Sequence, residues 1–348
     1  MPRMDQAPPE KQLVKLLLIG DGKIGKSYYA GLPAQQGFNV LYLDGDVALQ
    51  TLSMLPPEAK SHLYHMNVGD TMKDGSVDHR FADFMKEFIS SPRFIWNDTT
   101  QATFSRKDDW PNSEVWELFP ARMDSSTVLV IDSWTSYVQS VMMWAAQDAG
   151  FDLAEIDTTK MRPLYQAAAN KLTQTLVVIQ RLPCHVIVIA HPDEFTKTEK
   201  PEGAKLGNIK ETDLKVLWTK MIPKSSSRPH ALTMSKFFTD IAWMETNATG
   251  SQRLLNFRMS DERICGGHFN ERKTIDEYSF SNLVGNIGGV ANPGYPPIDS
   301  WLKTHGKGEF VPAGEKPAES KILGEGSPNS DTAKPKGIAG LAAMKRSA

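Results

Sequence analysis

The stretch Gly20-Asp21-Gly22-Lys23-Ile24-Gly25-Lys26-Ser27 follows an apolar run at 14–19 and fits the pattern G-x-x-x-x-G-K-[ST]. That pattern on the end of a strand constrains the chain more than any other feature, because it dictates a strand, a phosphate-cradling loop and a helix in that order. Glycines let the backbone curl until successive N–H groups point inward, and the helix that follows adds its positive N-terminal end. The nucleotide cradle is read as Gly20 to Tyr28, that is Gly20, Asp21, Gly22, Lys23, Ile24, Gly25, Lys26, Ser27 and Tyr28. Lys26 is expected to reach the β- and γ-phosphates of ATP, and the Ser27 hydroxyl to take one position on Mg²⁺. The plain alternative, a glycine turn with a surface lysine, does not explain the strand before it and the helix-compatible segment after it.

Such a loop needs an acid for the metal. Val128-Leu129-Val130-Ile131-Asp132-Ser133 offers one at the C-terminal end of an aliphatic run, where open α/β sheets place their ligands. Asp132 is expected to hold Mg²⁺ beside Ser27. Leu41-Tyr42-Leu43-Asp44-Gly45-Asp46 ends a second run with two carboxylates. Two readings stand there: Asp46 as the base that orients and deprotonates water, or a turn in which Asp44 caps backbone N–H groups. Val186-Ile187-Val188-Ile189-Ala190-His191 ends a third run, and His191 there reads as a sensor of the γ-phosphate or of the attacking water.

Strand candidates at 13–19, 39–43, 62–67, 127–131 and 185–190 alternate with helix candidates at 26–32, 81–89, 137–147 and 164–182. Pro33 is expected to stop the first helix. Strands separated by helices predict an α/β fold with a mostly parallel sheet flanked by helices. Segments 237–245 and 253–259, joined through Asn247-Ala248-Thr249-Gly250, predict a β-hairpin extension near the C-terminal side. Residues 1–12 read as a flexible leader, 13–310 as the ATPase domain, and 311–348, rich in Pro, Gly, Ser, Ala and Lys, as a disordered tail.

Composition narrows the classes. Forty per cent hydrophobic and 23% charged residues are ordinary for a soluble globular protein. The apolar runs are strand-length, so no membrane span is expected, and the polar start of the chain does not read as a signal peptide. Two cysteines, Cys184 and Cys265, form neither a disulfide framework nor a metal-ligand spacing. A reducing, cytoplasmic setting follows, and the Asn-x-Thr triplets at Asn97 and Asn247 are then coincidental. A net charge of −2 gives no global nucleic-acid footprint, so any DNA contact must rest on a local patch.

The order of phosphate loop, Leu43-Asp44-Gly45-Asp46, Val130-Ile131-Asp132-Ser133, a long helix and Ile189-Ala190-His191 resembles the RecA-like ATPase core over roughly residues 13–285. More narrowly it resembles the phage nucleotide-binding ATPases related to RecA and KaiC, which include single-strand annealing recombinases. That resemblance implies ATP and Mg²⁺ as cofactors, single-stranded DNA as partner, and host cytoplasm as the location of a phage-encoded protein. It also implies a homo-oligomeric ring or filament in which a basic residue of a neighbour completes the site, with Arg228, Lys236, Arg272 and Lys273 as candidates. A single-strand-binding or replication protein is a further partner in that picture. Lys26, Asp46, Asp132 and His191 carry the catalytic roles, but Asp46 stands where the family has a catalytic glutamate. One methylene less predicts slow or DNA-dependent hydrolysis.

In RecA-like proteins the segment after the sensor strand can carry a DNA-binding loop. Residues 193–229 form a long segment here with lysines interleaved almost one for one with acids, which reads equally as a solvated loop. Lys220, Lys224 and Arg228 lie among serines, and Trp218 is the nearest stacking candidate. Competing readings are a helicase or packaging-type motor, a nucleotide-gated assembly scaffold with little turnover, and, last, a small-molecule kinase, which would want an arginine-rich lid that the sequence does not show.

Overall fold

A computed structural model describes residues 13–46, 48–73, 76–90, 94–96, 103–104, 114–118, 120, 123–150, 158–199, 215–289 and 309–310. The expected leader and tail lie outside these residues, apart from the boundaries at 13 and 310.

The continuous apolar runs become strands because both of their faces are covered. Strand β1 (Lys15–Ile19) is followed by α1 (Lys26–Gln35), β2 (Asn39–Asp44), the one-turn helices α2 (Leu49–Leu52) and α3 (Pro57–Lys60), and β3 (Leu63–Asn67). Short strands β4 (Thr71–Lys73) and β5 (Ser76–Asp78) pair with each other before α4 (Arg80–Ser90). Strands β6 (Phe94–Trp96), β7 (Thr103–Phe104) and β8 (Glu114–Leu118) precede β9 (Thr127–Asp132), α5 (Trp134–Asp148), α6 (Thr158–Arg181) and β10 (His185–Ala190). The chain continues through β11 (Pro192–Glu199), β12 (Lys215–Pro223), α7 (Arg228–Met234), β13 (Asp240–Thr246), β14 (Arg253–Asn256), β15 (Arg272–Thr274), α8 (Phe280–Asn286) and β16 (Glu309–Phe310).

Among the described residues the main sheet runs β15-β14-β13-β1-β10-β9-β2-β3-β7. The six strands from β13 to β3 are mutually parallel, while β14, β15 and β7 join antiparallel at the two edges. The predicted hairpin is β13–β14, with Thr246 opposite Arg253. Because β13 also pairs with β1, the hairpin belongs to the sheet and brings β14 two strands from the phosphate loop.

Side chains alternate across the strands. Leu17, Ile19, Leu41, Leu43, Leu129 and Ile131 face a core shared with α4, α5 and α6. Leu16, Leu18, Val40, Tyr42, Val128 and Val130 face the other, with α1, α8 and Phe257. Helix α4 earns its place by period: Phe81, Met85 and Phe88 are buried on one face, and Asp83, Lys86 and Glu87 lie on or beside the other.

Two local expectations are corrected. Helix α1 does not stop at Pro33 but runs a turn further to Gln35. Proline's fixed φ is itself helical, so the cost is one missing donor and a crowded carbonyl. Burial of Pro33 and Ala34 stabilises that last turn, and the Pro33 carbonyl accepts from the N–H groups of Gln36 and Phe38. The segment after His191 is not a plain loop: β11 and β12 form an antiparallel ribbon from Pro192↔Pro223 to Glu199↔Lys215. Residues 200–214 of that segment lie outside the described residues.

Candidate nucleotide site

The phosphate loop sits between β1 and α1, at the carboxyl edge of the parallel strands. Gly25 immediately precedes α1 with φ 102°, a left-handed conformation in which a side chain is strained. A Cβ there would also come within 2.6 Å of Arg253 Nε, so any side chain at this position would push the arginine off the loop. Lys23 also takes a positive φ, 63°. The Lys26 ammonium donates to the carbonyls of Gly20 at 2.7 Å and Asp21 at 2.6 Å, tying the loop to its own lysine. Burial lowers the Lys26 pKa, opposed by the carboxylates of Asp132, Asp21 and Asp46.

Asp132 lies next to Ser27. The Ser27 hydroxyl donates to Asp132 Oδ2 at 2.6 Å, and the Tyr42 hydroxyl donates to the same oxygen at 2.5 Å. Burial pushes the Asp132 carboxyl up to about 6, against the two hydroxyl bonds, which favour the ionised form. The pattern along the chain gives Tyr42 no role beyond its place in the second strand; the hydroxyl's role emerges only when β2 and β9 lie side by side, with Asp44 opposite Asp132.

Asp46 and His191 are brought together. His191 Nε2 stands 3.4 Å from Asp46 Oδ2, and the Ser136 hydroxyl bonds Asp46 Oδ1. Burial raises the Asp46 pKa, yet bonds with His191, Ser136 and Ser133 hold it below the ordinary carboxylate range. Asp44 does something else: fully buried, it pairs with His65 Nε2 at 2.7 Å and accepts the Asp46 N–H at 3.0 Å. That is the capping turn considered above for Asp44, and it orients Asp46 at the same time. The backbone of His191 is held at both ends, its N–H by Thr135 Oγ1 at 3.0 Å and its carbonyl by the Lys224 N–H at 2.8 Å.

A cleft of about 620 Å³ joins these groups, lined by Gly22, Lys23, Gly25, Lys26, Ser27, Tyr28, Asp46, Ala48, Thr51, Met54, Asp132, His191 and Arg253. Gly20, Asp21 and Ile24 support the loop without lining the cleft; Ile24 packs on the core beneath it. Arg253 escaped the sequence reading, because 226 residues separate it from Ser27 and nothing local marks it. The four basic residues considered for a neighbour's site do not line this cleft. Arg272 and Lys273 pair with Glu245 and Glu271, the Arg228 guanidinium lies 5.2 Å from the Phe195 ring centre, and Lys236 sits on a single 3₁₀ turn.

The residues fit a metal-bound nucleotide. Ser27 Oγ and a buried carboxylate oxygen 2.6 Å apart are an oxygen donor pair of the kind Mg²⁺ shares with phosphates. Among the described residues no cluster of three or more His, Cys, Asp or Glu side chains could hold a metal alone.

A strand, a G-x-x-x-x-G-K-S loop, a helix and a strand-end aspartate bonded to the loop serine define a P-loop nucleoside triphosphatase of the α/β class. The family model for the AAA domain matches residues 12–221, and the chain belongs to that family of P-loop ATPases. No curated protein matches the chain. No described helix is long and apolar enough to cross a membrane.

Proposed function

We propose that the protein is an ATP- and Mg²⁺-dependent ATPase of RecA-like, phage type that acts on single-stranded DNA in recombination or replication. The single observation that carries this reading is the His191–Asp46 contact at the foot of the β11–β12 ribbon, where Pro192 follows His191 directly. The ribbon bears what single-stranded nucleic acid needs: Phe195 and Trp218 edge to face at 5.1 Å, Trp218 40% exposed, and Lys197, Lys215 and Lys220 along its strands.

In this reading the loop N–H groups and Lys26 hold the phosphates, and Ser27 and Asp132 hold Mg²⁺, which when bound neutralises charge on the β- and γ-phosphates. Asp46, kept ionised and aimed by Ser136, His191 and the Asp44 turn, orients water and takes its proton. His191 passes the state of that end of the cleft to the ribbon through its own backbone. The ring or filament, the neighbour's basic residue and a single-strand-binding partner belong to the same proposal.

The test is ATP hydrolysis with Mg²⁺, with and without single-stranded DNA, with Lys26→Ala as control. Stimulation by DNA that Lys26→Ala abolishes supports the reading; turnover indifferent to DNA, with no DNA bound, overturns its nucleic-acid half. A nucleotide-gated scaffold is the second reading. It is favoured by the short Asp46 side chain, whose two oxygens are both engaged by Ser136 and His191. ATP-dependent assembly without turnover would establish it instead.

A further inference from the structure

Arg253, the first residue of β14, is exposed, and among the described residues its guanidinium meets no carboxylate or other hydrogen-bond acceptor. An arginine with that freedom ordinarily extends into water. This one lies on the phosphate loop, with Nε where a Cβ on Gly25 would be 2.6 Å away and its Cζ at 2.9 Å from the same point. It lines the cleft with Lys26 and Ser27, and it also lines an adjoining cleft of about 530 Å³ with Lys23, Ile24, Gln252, Thr274, Ile275 and Asp276.

Its position along the site follows from the sheet order. Asp132 ends β9, and Asp46 and His191 follow the ends of β2 and β10, all on one side of β1. Arg253 reaches the loop from the opposite side, across β13. A cation placed there, unpaired and against the glycine before Lys26, lines the cleft an anion bound in the cradle would enter, and a guanidinium can present two parallel donors to such an anion. We propose that Arg253 is a ligand of the bound nucleotide acting within its own chain, gripping the part that ATP and ADP share rather than the γ-phosphate. The inference rests on the nucleotide-site reading above and adds to it a binding residue supplied by the C-terminal hairpin, beyond the matched domain, which ends at 221.

The test is equilibrium binding of ATP and ADP, each with Mg²⁺, to the full chain and to Arg253→Ala and Arg253→Lys, with thermal melting to confirm the fold. A charge-assisted bond of this kind predicts a loss of about ten- to a hundredfold for Arg253→Ala, equal for ATP and ADP. Arg253→Lys recovers part of it, since the charge remains and the fork is lost. A loss confined to ATP places Arg253 at the γ-phosphate and overturns the proposal. So does affinity unchanged for both nucleotides, which leaves the arginine as packing on the loop. So does a defect that appears only at protein concentrations where the chain self-associates, because Arg253 then serves a neighbour. If the unaltered chain binds neither nucleotide, the nucleotide-site reading itself falls; a chain that binds both while Arg253→Ala is silent removes only this residue.

Discussion

Tyr42 donates its phenolic hydrogen to Asp132 Oδ2 at 2.5 Å from the neighbouring strand, onto the same oxygen that accepts from Ser27. The ring is fully buried, and burial together with the facing Asp132 carboxylate drives the phenol pKa well above its ordinary value. The hydroxyl therefore stays a donor at any working pH, and its bond, with that of Ser27, fixes Asp132 Oδ2.

Replacing that donor isolates its effect. Tyr42→Phe keeps the packing and removes one bond to a buried carboxylate, worth about 1.5–3 kcal/mol. Lower stability at pH 7 by that order, and a several-fold higher Mg²⁺ requirement for nucleotide binding, are expected. Chemical denaturation and a Mg²⁺ titration of binding check both; an unchanged Mg²⁺ requirement would show that Tyr42 only fills space.

Asp46 is assigned to water activation, not to holding nucleotide. Asp46→Asn should leave ATP affinity within a few-fold and lower turnover by about 10²–10⁴, the usual contribution of a positioned base. Single-turnover hydrolysis beside equilibrium binding separates the two. Equal losses in both would mean that Asp46 shapes the site and does no proton transfer.

Trp218 tests the ribbon alone. Trp218→Ala removes a 40% exposed ring far along the chain from the phosphate loop, so melting temperature and ATP affinity should hold. Single-stranded DNA affinity should fall by about 1–3 kcal/mol, the value of one stacked base. Fluorescence anisotropy of labelled oligonucleotides reads it, and unaltered DNA binding would remove the ribbon's aromatic pair from the interface.

His185 makes stability depend on acid. Its Nδ1 accepts the Val14 N–H at 3.0 Å, and its ring sits edge-on to Phe38 and Phe280. Burial, with the Lys15 charge added, lowers its pKa from 6.5 to about 4. Between those values the unfolded chain binds the proton and the folded chain does not, so stability falls as pH drops from 6.5 towards 4, by at most about 3 kcal/mol. Denaturant unfolding at pH 7 and 4.5 should show the loss. His185→Gln, which cannot titrate, should flatten that part of the profile; an identical slope would assign the loss to other groups.

Much of this site was readable because its pieces are local: a loop pattern after β1, and acids or a histidine at the ends of runs buried on both faces. Tyr42 and Arg253 were not, since each acts across the sheet, and spacing along the chain says nothing about which strands become neighbours. The ribbon was hidden for a different reason. Val216, Leu217 and Trp218 are all exposed, so β12 carries no alternation of buried and exposed residues, and charges on both strands mimic a solvated loop. Pro33 misled because a proline marks a boundary only when the next turn gains nothing from burial.

The ribbon's length gives a small event at the nucleotide a mechanical scale. Eight residues of β11 at about 3.3 Å each make an arm of roughly 26 Å whose foot is the residue after His191. Tilting that arm by about 10° would sweep its far end through roughly 4–5 Å, more than the spacing of stacked bases, for a displacement of well under an ångström at the histidine. If the proposed single-stranded DNA role holds, a hydrogen bond made or lost at Asp46 would be geared to the dimensions of a nucleotide step.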